Sequence, residues 1–112
     1  MQNIYLKSKI HGATVTASNR EYDGSITLDA EMIEAAALSV NEKVLVCNLD
    51  NGHRFETYVI EGGKGCVEVN GAAAHLAGVG DRIIVMSFCL LTEDEAKKHN
   101  PKIVKPGKDN RL

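Results

Sequence analysis

The chain has no tryptophan, and phenylalanine and tyrosine together supply 4% of its residues. With so few aromatic side chains to fill an interior, the core must be mostly aliphatic. There is no basic surplus either. Thirteen Lys and Arg stand against 15 Asp and Glu, a net charge of −2, which gives no support to nucleic-acid binding. No apolar run approaches the roughly 20 residues that a membrane span requires, and Met1–Lys7 lacks the basic-then-apolar layout of a secretory signal. A cytoplasmic location is the expectation. The three cysteines, Cys47, Cys66 and Cys89, form no C-x-x-C pair and no Cys/His group with zinc spacing. They are expected to be small core residues, with no disulfide and no metal. Gly62-Gly63-Lys64-Gly65 lacks the Gly-Lys-Ser/Thr of a phosphate loop and reads as a turn. Ser25 lacks a Gly-x-Ser-x-Gly elbow, and His11, His53, His75 and His99 have no triad context.

What is present fits one domain spanning residues 1–112. Ile4–Thr16 reads as extended structure, and Ile26–Leu28 as a short strand. Asp29 is a plausible N-cap for a helix over Glu31–Leu38, with Met32, Ala35, Ala36 and Leu38 inward. Lys43–Leu49 and Arg54–Ile60 flank Asn51-Gly52, a strong hairpin signal. Cys66–Val69 is a further strand, and Asn70–Ala77 a helix start. Arg82–Leu91 is the longest apolar strand and should be interior. Thr92 caps a short helix to His99, which Pro101 stops. From about residue 101 the tail offers an edge strand at Lys102–Val104 and is otherwise expected to be loose.

Val40-Asn41-Glu42-Lys43-Val44-Leu45-Val46 matches Val79-Gly80-Asp81-Arg82-Ile83-Ile84-Val85 in residue type at nearly every position, and each follows an Ala-rich stretch. Two such units are too few for a solenoid. They point to a compact, mainly β barrel of two pseudo-symmetric halves with short helices.

Polar residues within the strand patterns are the candidates for chemistry. Lys9 and His11 share one side of a strand, as a pocket or as a solvated edge. Arg54 follows the hairpin, as a ligand for an anion or as a surface charge. Tyr58 lies on the same parity as Arg54 and serves packing or chemistry. Asn70-Gly71-Ala72-Ala73-Ala74 offers backbone N–H groups at a helix start, or is a tight packing corner. Gly24-Ser25 reads as a turn. A Gly carbonyl beside a Ser hydroxyl is also the minimal equipment for an N→O acyl shift.

Six ordered blocks carry a resemblance over nearly the whole chain: Lys9-Ile10-His11, Ala13–Thr16, Tyr22-x-Gly24-Ser25-Ile26, Asn51-Gly52-x-Arg54-Phe55-x-Thr57-Tyr58, Val69–His75 and Gly80-Asp81. Together they resemble the pyruvoyl-dependent aspartate 1-decarboxylases, which make β-alanine for pantothenate and coenzyme A. The resemblance implies a double-psi β-barrel and a homotetramer with active sites at subunit interfaces. It implies self-cleavage between Gly24 and Ser25, with Ser25 becoming a pyruvoyl group that forms a Schiff base with L-aspartate; neither a metal nor pyridoxal phosphate is needed. By the same resemblance Gly24 permits the strained processing geometry and Thr57 polarises its carbonyl and contacts substrate. Arg54 grips a substrate carboxylate, Lys9 and His11 lie near the other, and Tyr58 is the proton donor. Asn70, Gly71, Ala72 and Ala73 wall the site. An accessory maturation factor stays open. The chain departs from the family pattern at Gly12, where an Arg is usual, at Cys47, where some members carry a large apolar residue, and in its shorter tail. Two other readings remain at this point: a non-catalytic barrel acting as a binding module, and a pyruvoyl decarboxylase for another acidic amino acid.

Overall fold

Alternating aliphatic and polar residues build a sheet whose strands take up about half of the chain. A computed structural model describes all 112 residues. The strands are β1 (Gln2–Thr14), β2 (Ala17–Asn19), β3 (Ser25–Asp29), β4 (Lys43–Asn48), β5 (Arg54–Gly62), β6 (Val67–Asn70), β7 (Arg82–Thr92) and β8 (Lys102–Val104). They form one mixed sheet in the order β2-β6-β3-β5-β4-β7-β1-β8. The ladder itself does not close. β1, one strand in from the far end, runs into β2 at the near end through only two residues, Val15 and Thr16. At that junction Thr16 donates its N–H to the Val67 carbonyl and accepts from the Val67 N–H. The mainly β architecture expected from the sequence holds and is compatible with a double-psi barrel. No helix is long and apolar enough to cross a membrane.

The internal repeat is a structural one. Leu28 pairs with Val67 across β3 and β6, and Val46 pairs with Val85 across β4 and β7. Each pair joins residues equivalent in the repeat, so a pseudo-two-fold axis passes through both. The two repeat loops obey the same rule. Asn41 N–H donates to Val59 O while Val59 N–H donates to Glu42 O; Gly80 N–H donates to Val15 O while Val15 N–H donates to Asp81 O. Asn41 and Gly80 both adopt positive φ, +74° and +92°, and only there does each loop turn back onto its strand. The Glu42 carboxylate accepts from Ser39 N–H as the Asp81 carboxylate accepts from Gly78 N–H.

Inside lies a cluster of 17 buried residues, all aliphatic, from Ile10, Val15, Ile26 and Leu28 through Val44, Val46 and Val59 to Ile83 and Val85. The lack of tryptophan is met as expected, by β-branched side chains packed on the inward parity of each strand. β7 is interior, flanked by β1 and β4. Asp29 caps α1 (Ala30–Ala35), its side chain accepting from Glu31 N–H. That helix is shorter than the expected Glu31–Leu38, because Ala37 at φ +54° turns the chain out of it. Its inward residues include Ile33, whereas Ala35 is half-buried. Thr92 and Glu95 form a full capping box on α2 (Glu93–Lys98).

Three expectations need correction. Only Cys47 is buried; Cys66 and Cys89 are half-buried and outside the core cluster. Asn70–Ala77 does not start an α-helix but forms a single 3₁₀ stretch, Gly71–His75, since Gly71 at φ +74° bends the chain where a helix would begin. The tail is not loose beyond β8: Asn110 is 3% exposed. Its side-chain oxygen accepts from Thr14 N–H at 2.7 Å and its amide donates to Thr14 O and Gly65 O.

Glu42 also holds a half-buried ion pair. Its carboxylate accepts from Lys7 Nζ at 2.9 Å and from the Ser87 hydroxyl. Burial acts to raise its pKa, but Lys7, Ser87 and Ser39 together outweigh that and hold it below the ordinary 4.5. A carboxylate with a depressed pKa stabilises the fold fully above its unfolded value and loses that contribution as pH falls through the folded one. Glu42→Gln is therefore expected to cost about 1–2 kcal/mol near neutral pH. Thermal unfolding of both proteins should show the gap narrowing as pH drops below 4.5.

Candidate active site

Ser25 opens β3, and the register of that strand sets its neighbours. Ile26 pairs with Val59 on the parallel strand β5 and with Val69 on the antiparallel strand β6, all three facing the core. Ser25 takes the opposite parity, directly across from Asn70. One step back along the β3–β5 register sets Ser25 level with Tyr58, and a second sets Gly24 level with Thr57. Ser25 thus lies between Asn70 and Tyr58 on the outward face, while Thr57 shares the inward parity of Phe55 and Val59.

Ser25 is buried even so, 1% exposed. Its hydroxyl donates to the Asp23 carbonyl at 3.2 Å and accepts from Asn70 Nδ2 at 3.0 Å. The same amide donates to Thr27 Oγ1 at 3.0 Å. A buried hydroxyl with both roles satisfied has a fixed direction. Asn70 does not cap the 3₁₀ stretch that follows it; its side chain is committed to Ser25 and Thr27. The role of Thr27 was missed in the sequence, because a threonine in a strand carries no signal of its own beyond β propensity.

The steric demand at this junction falls on a different glycine from the one expected. Gly24 has no positive φ, and a Cβ there would meet nothing within 4 Å. Gly71 has φ +74°, and a Cβ there would lie 2.7 Å from Gly24 Cα and 2.9 Å from its nitrogen. Gly71 is therefore the residue whose bareness lets the chain before Ser25 lie against β6. Beside this junction Tyr22, Thr27, Ile60 and Asn70 line an open surface pocket of about 370 Å³, with Glu61 and Glu68 at its rim.

The basic candidates lie elsewhere. Across β1, β7, β4 and β5, one row of register partners reads His11, Ile84, Cys47, Arg54. Lys9 stands in the next row on the same outward face, opposite Met86. Three strand spacings of about 4.8 Å put His11 and Arg54 roughly 14 Å apart along this row. β1 is four strands from β3 in the ladder. Outward side chains that far apart around a curved sheet cannot converge on one ligand. A single chain therefore groups Ser25, Asn70, Gly71 and Tyr58, with Thr57 level with Gly24. It holds Lys9 and His11 apart on β1, and Arg54 apart from both on β5, at the far end of the same row. Ala72 and Ala73 follow Gly71 in the 3₁₀ stretch, with Ala73 packed on the core cluster.

Gly12 is a bulge residue of β1 at φ +89°, and a Cβ there would lie 2.5 Å from Arg82 Nη2. The guanidinium of β7 thus occupies the ground that a side chain at position 12 would claim. Cys66 Sγ donates to Glu68 Oε2 at 3.0 Å, and burial followed by that carboxylate pushes its pKa up to about 12. This thiol stays protonated and is no nucleophile. Nowhere do three metal-ligating side chains converge.

The model of the aspartate decarboxylase family matches residues 1–112. The chain belongs to the aspartate decarboxylase family. It is 57% identical to the aspartate 1-decarboxylase of Caldicellulosiruptor saccharolyticus, over 96% of this chain and 85% of that protein. It is 48% identical to that of Thermoanaerobacter pseudethanolicus over 99% and 97% of the two chains, and 51% identical to that of Kosmotoga olearia over 98% and 96%. Family membership places the chain among the carboxy-lyases. The pinned Ser25 and the Gly71 contact are thus features of an aspartate decarboxylase family member.

Gly71→Ala is expected to lose about 1–3 kcal/mol, because the left-handed φ and the clash with Gly24 both oppose a side chain. Gly24→Ala should unfold with the parent protein. Urea denaturation of the two variants checks the assignment.

Proposed function

We propose that the chain cuts itself between Gly24 and Ser25 and then decarboxylates L-aspartate at its α-carboxylate. The products are β-alanine and CO₂, for pantothenate and coenzyme A synthesis in the cytoplasm. The observation that carries this reading is the buried Ser25 hydroxyl, on the residue after Gly24, fixed by donation to Asp23 O at 3.2 Å and by Asn70 Nδ2 at 3.0 Å.

In the first step Ser25 Oγ attacks the Gly24 carbonyl carbon. The peptide C–N bond breaks as an ester forms and the nitrogen of residue 25 becomes a free amine. Elimination then breaks the Cβ–O bond, releasing residues 1–24 with a terminal carboxylate and leaving dehydroalanine. Water replaces the amine, which leaves as ammonia, and position 25 becomes a pyruvoyl group. Thr57, level with Gly24 in the register, is suited to donate to the oxyanion of the first step. Asn70 and Gly71 hold the two sides of the scissile bond.

A pyruvoyl group supplies a ketone conjugated with an amide, an electron sink for the carbanion left when CO₂ departs. Tyr58 lies level with residue 25 on the same face and is 38% exposed, a suitable place for the proton donor that quenches that carbanion. Arg54 would take one carboxylate through its planar fork, and Lys9 and His11 the other, with Asn70, Gly71, Ala72 and Ala73 as the wall.

Because one chain holds Lys9 and His11 four strands from Ser25, a complete site calls for a second copy. We propose a homotetramer in which Lys9, His11 and Arg54 of one subunit face residue 25 of its neighbour. An exposed apolar strip on β1 and β7, with Ile4 71%, Phe88 42% and Leu90 59% exposed, supports such association. Whether cutting is spontaneous or needs a maturation factor is read from the same experiment, by comparing protein made with and without cell extract.

Intact-mass spectrometry should find two fragments, residues 1–24 and a chain starting at position 25 without a free Ser amine. Full-length chain that persists even with extract would overturn the reading. Ser25→Ala should stay uncut and inactive, and Thr57→Val should cut more slowly. Tyr58→Phe should cut normally and lose about a hundredfold or more in kcat; CO₂ release at the parent rate would remove Tyr58 from its role.

A further inference from the structure

We infer that Lys105, on the C-terminal segment, is a third basic contact for the substrate carboxylate that survives the reaction. Lys9, His11, Ile103 and Lys105 alone line a surface pocket of about 280 Å³. Three of its four residues are basic and none is acidic. The ion pairs of the chain are Lys7–Glu42, Lys43–Glu56 and Lys97–Asp94, so the three basic groups of the pocket have no carboxylate partner. Converging basic side chains with no counter-charge raise the affinity of the place for an anion.

The arrangement is built rather than incidental. β8 runs parallel to β1 with Lys9 paired to Ile103 and Ile10 to Val104. Carrying that register on by one residue sets Lys105 beside His11 on the outward face. The row that reads His11, Ile84, Cys47, Arg54 thereby gains Lys105 at its other end. Lys105 is also tethered on both sides. Before it stands the β8 pairing; after it, Asn110 is fixed by three hydrogen bonds to Thr14 and Gly65. A lysine between two anchors loses less freedom on meeting a ligand than one on a free tail.

Chemistry chooses between the two carboxylates of aspartate. The α-carboxylate must become neutral CO₂, and positive charge added to it beyond Arg54 would stabilise the ground state more than the transition state. The side-chain carboxylate keeps its charge throughout. Basic groups on it bind ground state and transition state alike, and so act on KM rather than kcat. The inference rests on the proposed placing of Lys9 and His11 at the substrate.

The test uses the self-processed enzyme, with rates expressed per cleaved chain. Lys105→Gln should raise KM for L-aspartate about fivefold, with kcat within about twofold, as an exposed charge contact allows. The inhibition constant of succinate, a dicarboxylate without the reacting amine, should rise by a similar factor. Lys105→Arg should restore both. If Lys105→Gln moves neither constant while Lys9→Gln raises both, the inference is overturned and the site stands. If neither variant moves them, the placing of Lys9 fails and takes the inference with it. A Lys105→Gln chain that unfolds at lower temperature, and that Arg does not rescue, would assign Lys105 a structural role and equally overturn it.

Discussion

The core cluster of this protein is made entirely of apolar side chains, and that cluster governs where nearly everything else can go. A strand has two faces. When Ile10, Ile26, Val46, Val59, Val69 and Val85 take the inward one at almost no exposure, nearly every group capable of chemistry is left on the outward face. Sites on the outside of a barrel are shallow and distributed around it. Both features recur here: the pockets beside Ser25 and beside Lys9 are open, and they lie four strands apart in the ladder. The separation of Lys9 and His11 from Ser25 follows from the packing of the core, and it is the ground for the proposed second copy.

Against that open surface Ser25 belongs to a buried group on the outward parity with Thr27, Asp29 and Asn70. It is buried although its parity is outward, because β6 and the segment before Gly24 close over it. The closure depends on one bare residue, Gly71, whose missing side chain lets the Gly24 backbone approach. It depends equally on one amide, Asn70 Nδ2, shared between Ser25 and Thr27. A serine hydroxyl in water is a poor nucleophile with many orientations. One that is dry, with a fixed donor and a fixed acceptor, has a defined lone-pair direction, which is the part of the work that positioning can do.

Much was legible in advance for local reasons. Asp29 and Thr92 were readable as caps because capping needs a particular side chain at a particular offset. Arg82–Leu91 was readable as a central strand of the sheet from its continuous apolar run, although only alternate residues of its first half are buried and Phe88 and Leu90 stay exposed. The repeat was visible because its two copies keep type at each position, and the structure aligns them across one axis at Val46 and Val85. What failed was non-local. Ala37 and Gly71 end helical structure through positive φ that no propensity reveals. Asn110 looked like part of a loose tail because its partners, Thr14 and Gly65, are 96 and 45 residues away. The packing demand of Gly71 was not legible, since only the packed pair shows that a side chain there would collide with Gly24.

By itself the sequence determined the kind of protein this is. An aliphatic alternation without tryptophan makes a β barrel, and Gly24-Ser25 with its accompanying blocks matches the aspartate decarboxylase family. Both signals are carried by residue type and short spacing, which survive without coordinates. The tertiary structure decided which groups meet. It seated Asn70 on Ser25, put Gly71 under Gly24, laid Arg82 over Gly12, and held Lys9, His11 and Arg54 away from all of them. Register between distant strands sets those contacts, and register is a property of the whole sheet, settled only when every inward position is filled at once.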